Sequence, residues 1–272
     1  MKENLIKCDL HGTHLIPRDE NDEVWDWYYS KKVSISFDVL NFTPDADVKV
    51  WIQIESPSVI DNTVGLINQK DNFDLILTFS DDVLTNCKQA EKFIFGGCML
   101  NLNTLSLDKK DEVSYIMSNK NFTTGHKFRH QIWEAHSNTK DVNGLTTRFM
   151  KSGSFWLPNK NELFENAKFH IAVENLITNS YITEKIVDCF LSKTIPIYWG
   201  CANIGEFFNI DGILQFNNLE ELNIQLSRVN SDLYEQLTDV IEENYQIAQK
   251  YKNLYIRINE TIKDFIKDNN TY

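Results

Sequence analysis

The sequence predicts an α/β protein with two parallel-sheet domains, and three observations carry the prediction. Apolar runs of five to seven residues, VSISF, VKVWIQI, FDLILTF and FHIAV, recur with polar loop residues behind them, the form of strands buried on both faces. The stretch Phe169 to Gly200 holds a strand, a polar turn, a capped helix and a second strand in succession, one complete βαβ unit. A chain of 272 residues can hold one large or two modest domains, each with its own core.

The elements follow in order. VSISF (33–37), VKVWIQI (48–54) and FDLILTF (73–79) are predicted strands, and Lys88 to Lys92 reads as a helix or turn. After the polar stretch Asn101–Asp111, VSYIMSNK is a strand ending in Ser118 and Asn119. A helix from about Gly125 to Ser137 and loop and strand residues to Gly153 come next. FHIAV is then a strand, and Asn175–Ser180 a polar loop. Thr183 or Ser180 is positioned to cap a helix whose apolar positions are Ile182, Ile186, Cys189 and Phe190. That spacing leaves Glu184, Lys185 and Asp188 off the buried stripe. Lys193 closes the helix and TIPIYWG is the next strand, stopped by Gly200. From Leu219 onward, apolar residues three to four apart predict helices. The division that follows is 1–108 for a first α/β domain, 109–220 for a second, and 221–272 for C-terminal helices, expected by analogy with other two-domain proteins to pack back across both.

Bulk properties narrow the function. A formal charge of −12 and a pI of about 5.0 argue against a duplex nucleic acid partner, whose binding needs clustered lysine and arginine. No apolar stretch approaches the ~18–20 residues that span a bilayer, and MKENLIKCDLHGTH lacks the apolar centre of a signal peptide. The sequence as it stands is therefore expected to be cytoplasmic, and an anchor outside it would leave the same pattern. Five cysteines without a CxxC pair point to reduced thiols, with Cys189 in the core. Six tryptophans, among them Trp25, Trp27, Trp51 and Trp156, read chiefly as core, although such rings also stack on sugars.

Two places carry candidate chemistry by residue type. Ser118–His130, SNKNFTTGHKFRH, contains Lys120, His126, Lys127, Arg129 and His130 and no acid, inside an acidic protein. It leads from a strand into a helix, so a phosphate there would meet helix-start N–H groups as well as cations. Arg129 is the strongest candidate because its guanidinium grips phosphate bidentately; a solvated helix face is the ordinary alternative. His126 and His130 are four apart but have no third ligand nearby, so no metal is expected. The second place is Glu55, directly after an apolar strand and before Ser56-Pro57, where a carboxylate stands at a strand's carboxyl end. A solvated strand-end glutamate is the alternative there. Asp45-Ala46-Asp47 has the DxD form of a metal-diphosphate motif but precedes a strand, and reads as a turn. A ligand at the carboxyl ends of the Phe169–Gly200 strands would meet Glu174, Asn175, Tyr181, Glu184 and Lys185.

The string FHIAVEN, six residues from Asn175 to Tyr181, YITEK, a helix and PIYWG resembles the donor-binding core of the α-1,3/1,4-fucosyltransferases, glycosyltransferase family 10. It departs at Leu176, where the family has serine. The resemblance implies a GT-B type fold, two Rossmann-like domains, and an inverting, metal-independent transfer of L-fucose from GDP-fucose to a glycan acceptor. It further implies donor-binding parts for Glu174, Asn175, Tyr181, Glu184 and Lys185: Glu184 toward ribose hydroxyls, Lys185 toward phosphate or sugar, Tyr181 toward the base. Ser118-Asn119, with Lys120 close behind, matches the pair that precedes the family's phosphate-binding arginine by nine or ten residues, and Arg129 falls at that place. ESP at 55–57 matches the segment whose glutamate is the general base, and NFDLILTFSDD the next strand, with Asp81 and Asp82 on the acceptor side. Two other readings stay open: the same fold with another nucleotide sugar, such as a different GDP-hexose or a UDP-pentose, and a non-catalytic nucleotide- or carbohydrate-binding module. Acceptor identity, linkage and oligomeric state do not follow from the sequence.

Overall fold

The computed structural model describes residues 5–12, 27–153 and 159–269. The chain forms two compact units, one of residues up to Phe95 together with those from Asn253 onward, the other Gly96–Lys252.

In the first unit, β1 (Ile6–Lys7) pairs antiparallel with β3 (Tyr28–Tyr29). β2 (Asp9–His11), β4 (Val33–Phe37), β5 (Val48–Ile52), β6 (Leu75–Thr78) and β7 (Ala90–Lys92) form a parallel sheet in that order. The period of two sorts its side chains to two faces. Val48, Val50, Ile52, Leu75 and Leu77 join one apolar cluster, while Trp51 and Ile76 join another. The second cluster is covered by Leu66 of α1 (Thr63–Asn68) and Val83 of α2 (Asp81–Asn86). The first is covered by the C-terminal helix, Leu254–Asp268, whose Leu254, Ile258, Ile262 and Ile266 recur every fourth residue on one stripe.

That helix corrects the sequence division. The C-terminal helices do not form one segment: the last completes the core of the N-terminal unit, and those before it belong to the second unit. The boundaries fall at Phe95/Gly96 and Lys252/Asn253. Periodicity reveals that a helix has an apolar stripe and leaves open which sheet the stripe covers.

The second unit contains β8 (Lys110–Met117), α3 (Thr124–His136), β9 (Asp141–Val142), β10 (Leu145–Lys151), β11 (Ala167–Val173), α4 (Glu184–Leu191), β12 (Ile195–Trp199) and β13 (Leu214–Gln215). After them come α5 (Leu219–Arg228), α6 (Ser231–Gln236) and α7 (Thr238–Ala248). The sheet order is β13-β12-β11-β8-β10-β9, parallel except for the short β9–β10 pairing. One face packs on Phe128 and Ile132 of α3, Leu222 and Leu226 of α5 and Ile241 of α7. α4 packs against β11 and β12. From β8 the chain crosses through α3 to β10 on one side, and β11 then pairs with β8 on the other. β8 and β11 thus flank a topological switch point, where open α/β sheets leave a crevice at their carboxyl ends.

Local expectations differ from the structure at a few positions. Ala90–Lys92 is a strand, not a helix or turn, since it completes the parallel sheet as its edge. β8 ends at Met117, so Ser118 and Asn119 lie in the loop beyond it. Thr183, not Ser180, caps α4: its hydroxyl accepts from Lys185 N–H, while Ser180 has a φ of 59°. Asp188, expected off the buried stripe, is fully buried, because Lys160 Nζ (2.6 Å) and Met99 N–H (2.9 Å) reach its carboxylate from distant parts of the chain. The carboxylates of Asp45 and Asp47 turn back onto Lys32, at its ammonium (2.8 Å) and N–H (2.9 Å). Trp27 and Trp51 are core residues, and Trp25 and Trp156 lie outside the described residues. Among the described residues no helix is long and apolar enough to cross a membrane.

Candidate functional site

The site of the second unit grows from the start of α3. Thr123 Oγ1 accepts His126 N–H at 3.0 Å, and His126 Nδ1 accepts Thr123 N–H at 3.3 Å, a reciprocal cap that defines where the helix begins. The next feature depends on glycine. Gly125 N–H donates to Asn175 O at 3.0 Å, and a Cβ at this position would lie 1.8 Å from Glu174 O. Only a residue without a side chain lets the helix start approach the end of β11 this closely.

Arg129 lies one turn further along the same helix and is carried to the same place. Its Nε donates to Val173 O at 3.0 Å and its terminal nitrogen to Asn175 Oδ1 at 2.7 Å, while Tyr115 Oη holds the arginine's own carbonyl at 2.6 Å. Burial works against its charge, but a guanidinium does not lose its proton in a protein. The effect is visible on His126: burial, then the positive charges of Arg129, Lys120 and Lys185, push its imidazole down to about 3. The histidine is kept neutral chiefly by its burial, and the three cations around it add to the effect in a protein of net charge −12.

The end of β11 and the start of α4 supply the rest. Glu174 is fully buried, its N–H on Trp199 O (2.8 Å) and its carboxylate accepting Thr183 N–H (3.1 Å) and Thr183 Oγ1 (2.7 Å). Lys185 Nζ stands 3.4 Å from Glu174, 3.3 Å from Glu184 and 3.1 Å from Thr183 Oγ1. Burial alone would raise the Glu184 carboxyl, but Lys185 and Lys160 bring it down to about 2. Burial likewise opposes the Lys185 ammonium, and Glu184 and Glu174 more than offset it, so its pKa is raised. The helix start therefore presents a cation on a bed of two carboxyl groups, Glu184 held ionised and Glu174 raised by its burial. Gly200 makes room for that bed, since a Cβ there would sit 2.5 Å from Glu174 Cγ.

Of the residues singled out in the sequence, Arg129, Asn175, Tyr181, Glu174, Glu184 and Lys185 come together at the carboxyl ends of β8 and β11. Their depth differs. Glu174 and Tyr181 face inward, 0% and 1% exposed, because the first holds Thr183 and Lys185 and the second lies 3.5 Å from Asn175 Nδ2. In this geometry they support their neighbours. Ser118, half-buried, and the exposed Asn119 and Lys120 lie in the loop after β8, where Lys120 O meets His130 Nε2 at 3.1 Å. Among the described residues no three His, Cys, Asp or Glu side chains form a group that could hold a metal.

Glu55 belongs to the first unit. It is half-buried, three residues past the end of β5, and its N–H donates to Asp38 Oδ2 at 3.0 Å. Asp81 and Asp82 open α2 behind the cap of Ser80. Three contributors escaped the sequence reading. Gly125 carried a signal, a glycine just inside a predicted helix. Lys160 and Asp38 carried none, since their partners are distant in sequence.

A parallel sheet with a switch point, a buried guanidinium on one side of it and a Glu-Lys pair at the next helix start make one polar junction at the carboxyl ends of the sheet. Residues 107–256, more than half of the chain, match the glycosyltransferase family 10 (fucosyltransferase) C-terminal domain, and the chain belongs to this family. It is 32% identical over 116 residues to the α-(1,3)-fucosyltransferase FucT of Helicobacter pylori, covering 42% of this chain and 23% of that protein. It is 32% identical over 81 residues to the α-(1,4)-fucosyltransferase of Arabidopsis thaliana, covering 28% and 20%. The chain thus spans about a fifth of the length of these relatives. A crystal structure of an α1,3-fucosyltransferase with GDP-fucose aligns with 83% of this chain and 78% of its own, at 18% identity and a TM-score of 0.48.

Proposed function

We propose that this protein transfers L-fucose from GDP-fucose to a hydroxyl of a glycan acceptor, with inversion and without a metal. The observation that carries the reading is the convergence of Arg129, Asn175, Glu184 and Lys185 on the switch point of a parallel sheet. There, Arg129 and Lys185 meet the diphosphate, Glu184 the ribose hydroxyls, and Asn175, held by Arg129, the remaining polar edge of the donor. Ser118, Asn119 and Lys120 extend the same surface, with Glu174 and Tyr181 behind it.

In the reaction, Glu55 takes the proton of the acceptor hydroxyl as its oxygen bonds to the anomeric carbon. The bond from that carbon to the phosphate oxygen breaks, and GDP leaves with the electron pair. Negative charge grows on the diphosphate as the sugar becomes oxocarbenium-like, so cations already held in place lower the barrier without reorganising. Arg129 and Lys185 supply the charge that a divalent ion supplies in metal-dependent transferases.

The first test is isothermal titration with GDP, GDP-fucose, UDP and a UDP-sugar, each with EDTA and with Mn²⁺. Binding of the guanine pair alone, unchanged by EDTA, is expected. Uracil preference would reassign the donor, a strict Mn²⁺ requirement would refute metal independence, and donor binding with no turnover on any acceptor would leave a binding module. Glu55→Gln is expected to lower turnover by ~10²-fold or more with GDP affinity intact, and full activity would remove it as the base.

A further inference from the structure

We propose that Asp38 is a positioning residue for Glu55, its carboxylate gripping the backbone of the turn that presents the Glu55 side chain. The role rests on the reading of Glu55 as the base.

β4 and β5 run parallel with Phe37 opposite Ile52 as their last pair, so the ladder between them stops there. Asp38 takes over where it stops. Its N–H donates to Ile52 O at 3.0 Å, its Oδ1 accepts Ile54 N–H at 2.9 Å and its Oδ2 accepts Glu55 N–H at 3.0 Å. Asn62 Nδ2 donates to its carbonyl. On the far side, Gln53 N–H still pairs with Leu77 O of β6 (2.8 Å), and Gln53 Oε1 takes Thr78 Oγ1 (2.5 Å). The chain from Gln53 to Glu55 is therefore held from both sides, and the two N–H groups nearest Glu55 are held by one forked acceptor. Two consecutive N–H groups converging on one side chain call for two acceptor oxygens, and an amide offers one.

The arrangement is costly. Asp38 has a φ of 55°, in the left-handed region, and is 6% exposed. Its partners are backbone and amide groups. Burial raises its carboxyl to about 7 despite the two N–H bonds, and the charge of Glu55 adds to the rise. A left-handed backbone position and a buried carboxyl at the end of a central strand are the kind of arrangement that positions a functional group.

The test is a double-mutant cycle of Asp38→Asn and Glu55→Gln, read as kcat, acceptor KM and GDP affinity. Asparagine has the same shape and tolerates a φ of 55°. Asp38→Asn is expected to lower kcat about tenfold with GDP affinity unchanged, and to cost nothing further in the Glu55→Gln background. Parental kcat in Asp38→Asn beside an inactive Glu55→Gln overturns the positioning role and leaves the base standing. An equal loss in both backgrounds means Asp38 serves the fold alone, which also overturns it. Parental kcat in Glu55→Gln removes the base and the role of Asp38 with it. If Asp38→Asn does not fold, Asn62→Ala, which releases the Asp38 carbonyl, takes its place in the cycle. A severalfold loss confined to the Glu55 background is expected, and no loss, or the same loss in both, overturns the proposal.

Discussion

Gly125→Ala opposes a local effect to a tertiary one. Within a helix, alanine is favoured over glycine by up to ~1 kcal/mol, so local propensity alone makes the variant more stable. The structure predicts the reverse. The added methyl would lie 1.8 Å from Glu174 O and 2.8 Å from Asn175 Cα and Glu174 C, all of them backbone atoms that no side-chain rotation can move. Ordinary carbon–oxygen contact begins at roughly 3.3 Å. The start of α3 or the end of β11 must therefore retreat by roughly 1.5 Å, at ~1–3 kcal/mol for overpacking and ~1 kcal/mol for the Gly125 N–H bond to Asn175 O. After the propensity gain the net loss is about 1–3 kcal/mol, a fall of several degrees in Tm. Arg129 moves with the helix, so its bonds to Val173 O and Asn175 Oδ1 stretch beyond hydrogen-bond length, and GDP affinity should fall tenfold or more. Differential scanning fluorimetry and GDP titration read the two effects. Gly144→Ala is the control: its φ of +88° strains alanine, with no atom within 4 Å of the new methyl, so Tm should fall and GDP affinity should not. A Gly125→Ala protein with raised Tm and parental GDP affinity would refute the close helix–strand approach on which the site is built.

Three further outcomes are expected. Arg129→Lys keeps the charge but replaces a fork held on Val173 O and Asn175 Oδ1 with a single ammonium, and GDP affinity should fall by about tenfold, or ~1.4 kcal/mol; an unchanged Kd would remove Arg129 from the diphosphate. Ile258→Ala, on the stripe of the C-terminal helix that completes the first unit's core, should cost about 2–5 kcal/mol by denaturant titration, and a loss under ~0.5 kcal/mol would mean that the helix does not cover that sheet. His170 is buried against Ser114 Oγ (2.7 Å), and burial, with Lys160 nearby, lowers its pKa from 6.5 to about 3. The unfolded chain then binds the extra proton first, so this stability is complete above pH 6.5 and falls by ~1.4 kcal/mol per pH unit toward pH 3. Between pH 6.5 and 5, His170→Gln should lose about 2 kcal/mol less than the parent, and equal losses would show that His170 is not held neutral.

The local elements were legible in the sequence because their causes are local. VSISF became β4 and the FHIAV run the last five residues of β11, Thr183 capped α4, and the helix expected from Gly125 begins one residue earlier. Apolar runs, caps and breakers act within a few residues, and the Glu174–Lys185 string kept its spacing as one strand-loop-helix junction. What stayed hidden depends on residues far apart. Asp188 looked like a position off the buried stripe until Lys160 and Met99 closed on it, and the final helix looked like one of the C-terminal helices packing back across both domains until its isoleucines joined the cluster of β5 and β6. Only the sheet order, with β11 beside β8, put Arg129 against Asn175 and turned Glu174 and Tyr181 inward as supports. Sequence determined which residues have an apolar side, where the chain must turn and which polar groups stand at strand ends. Tertiary structure decided which of those groups face one another, because burial and hydrogen bonding between distant segments depend on strand order, which no local pattern encodes.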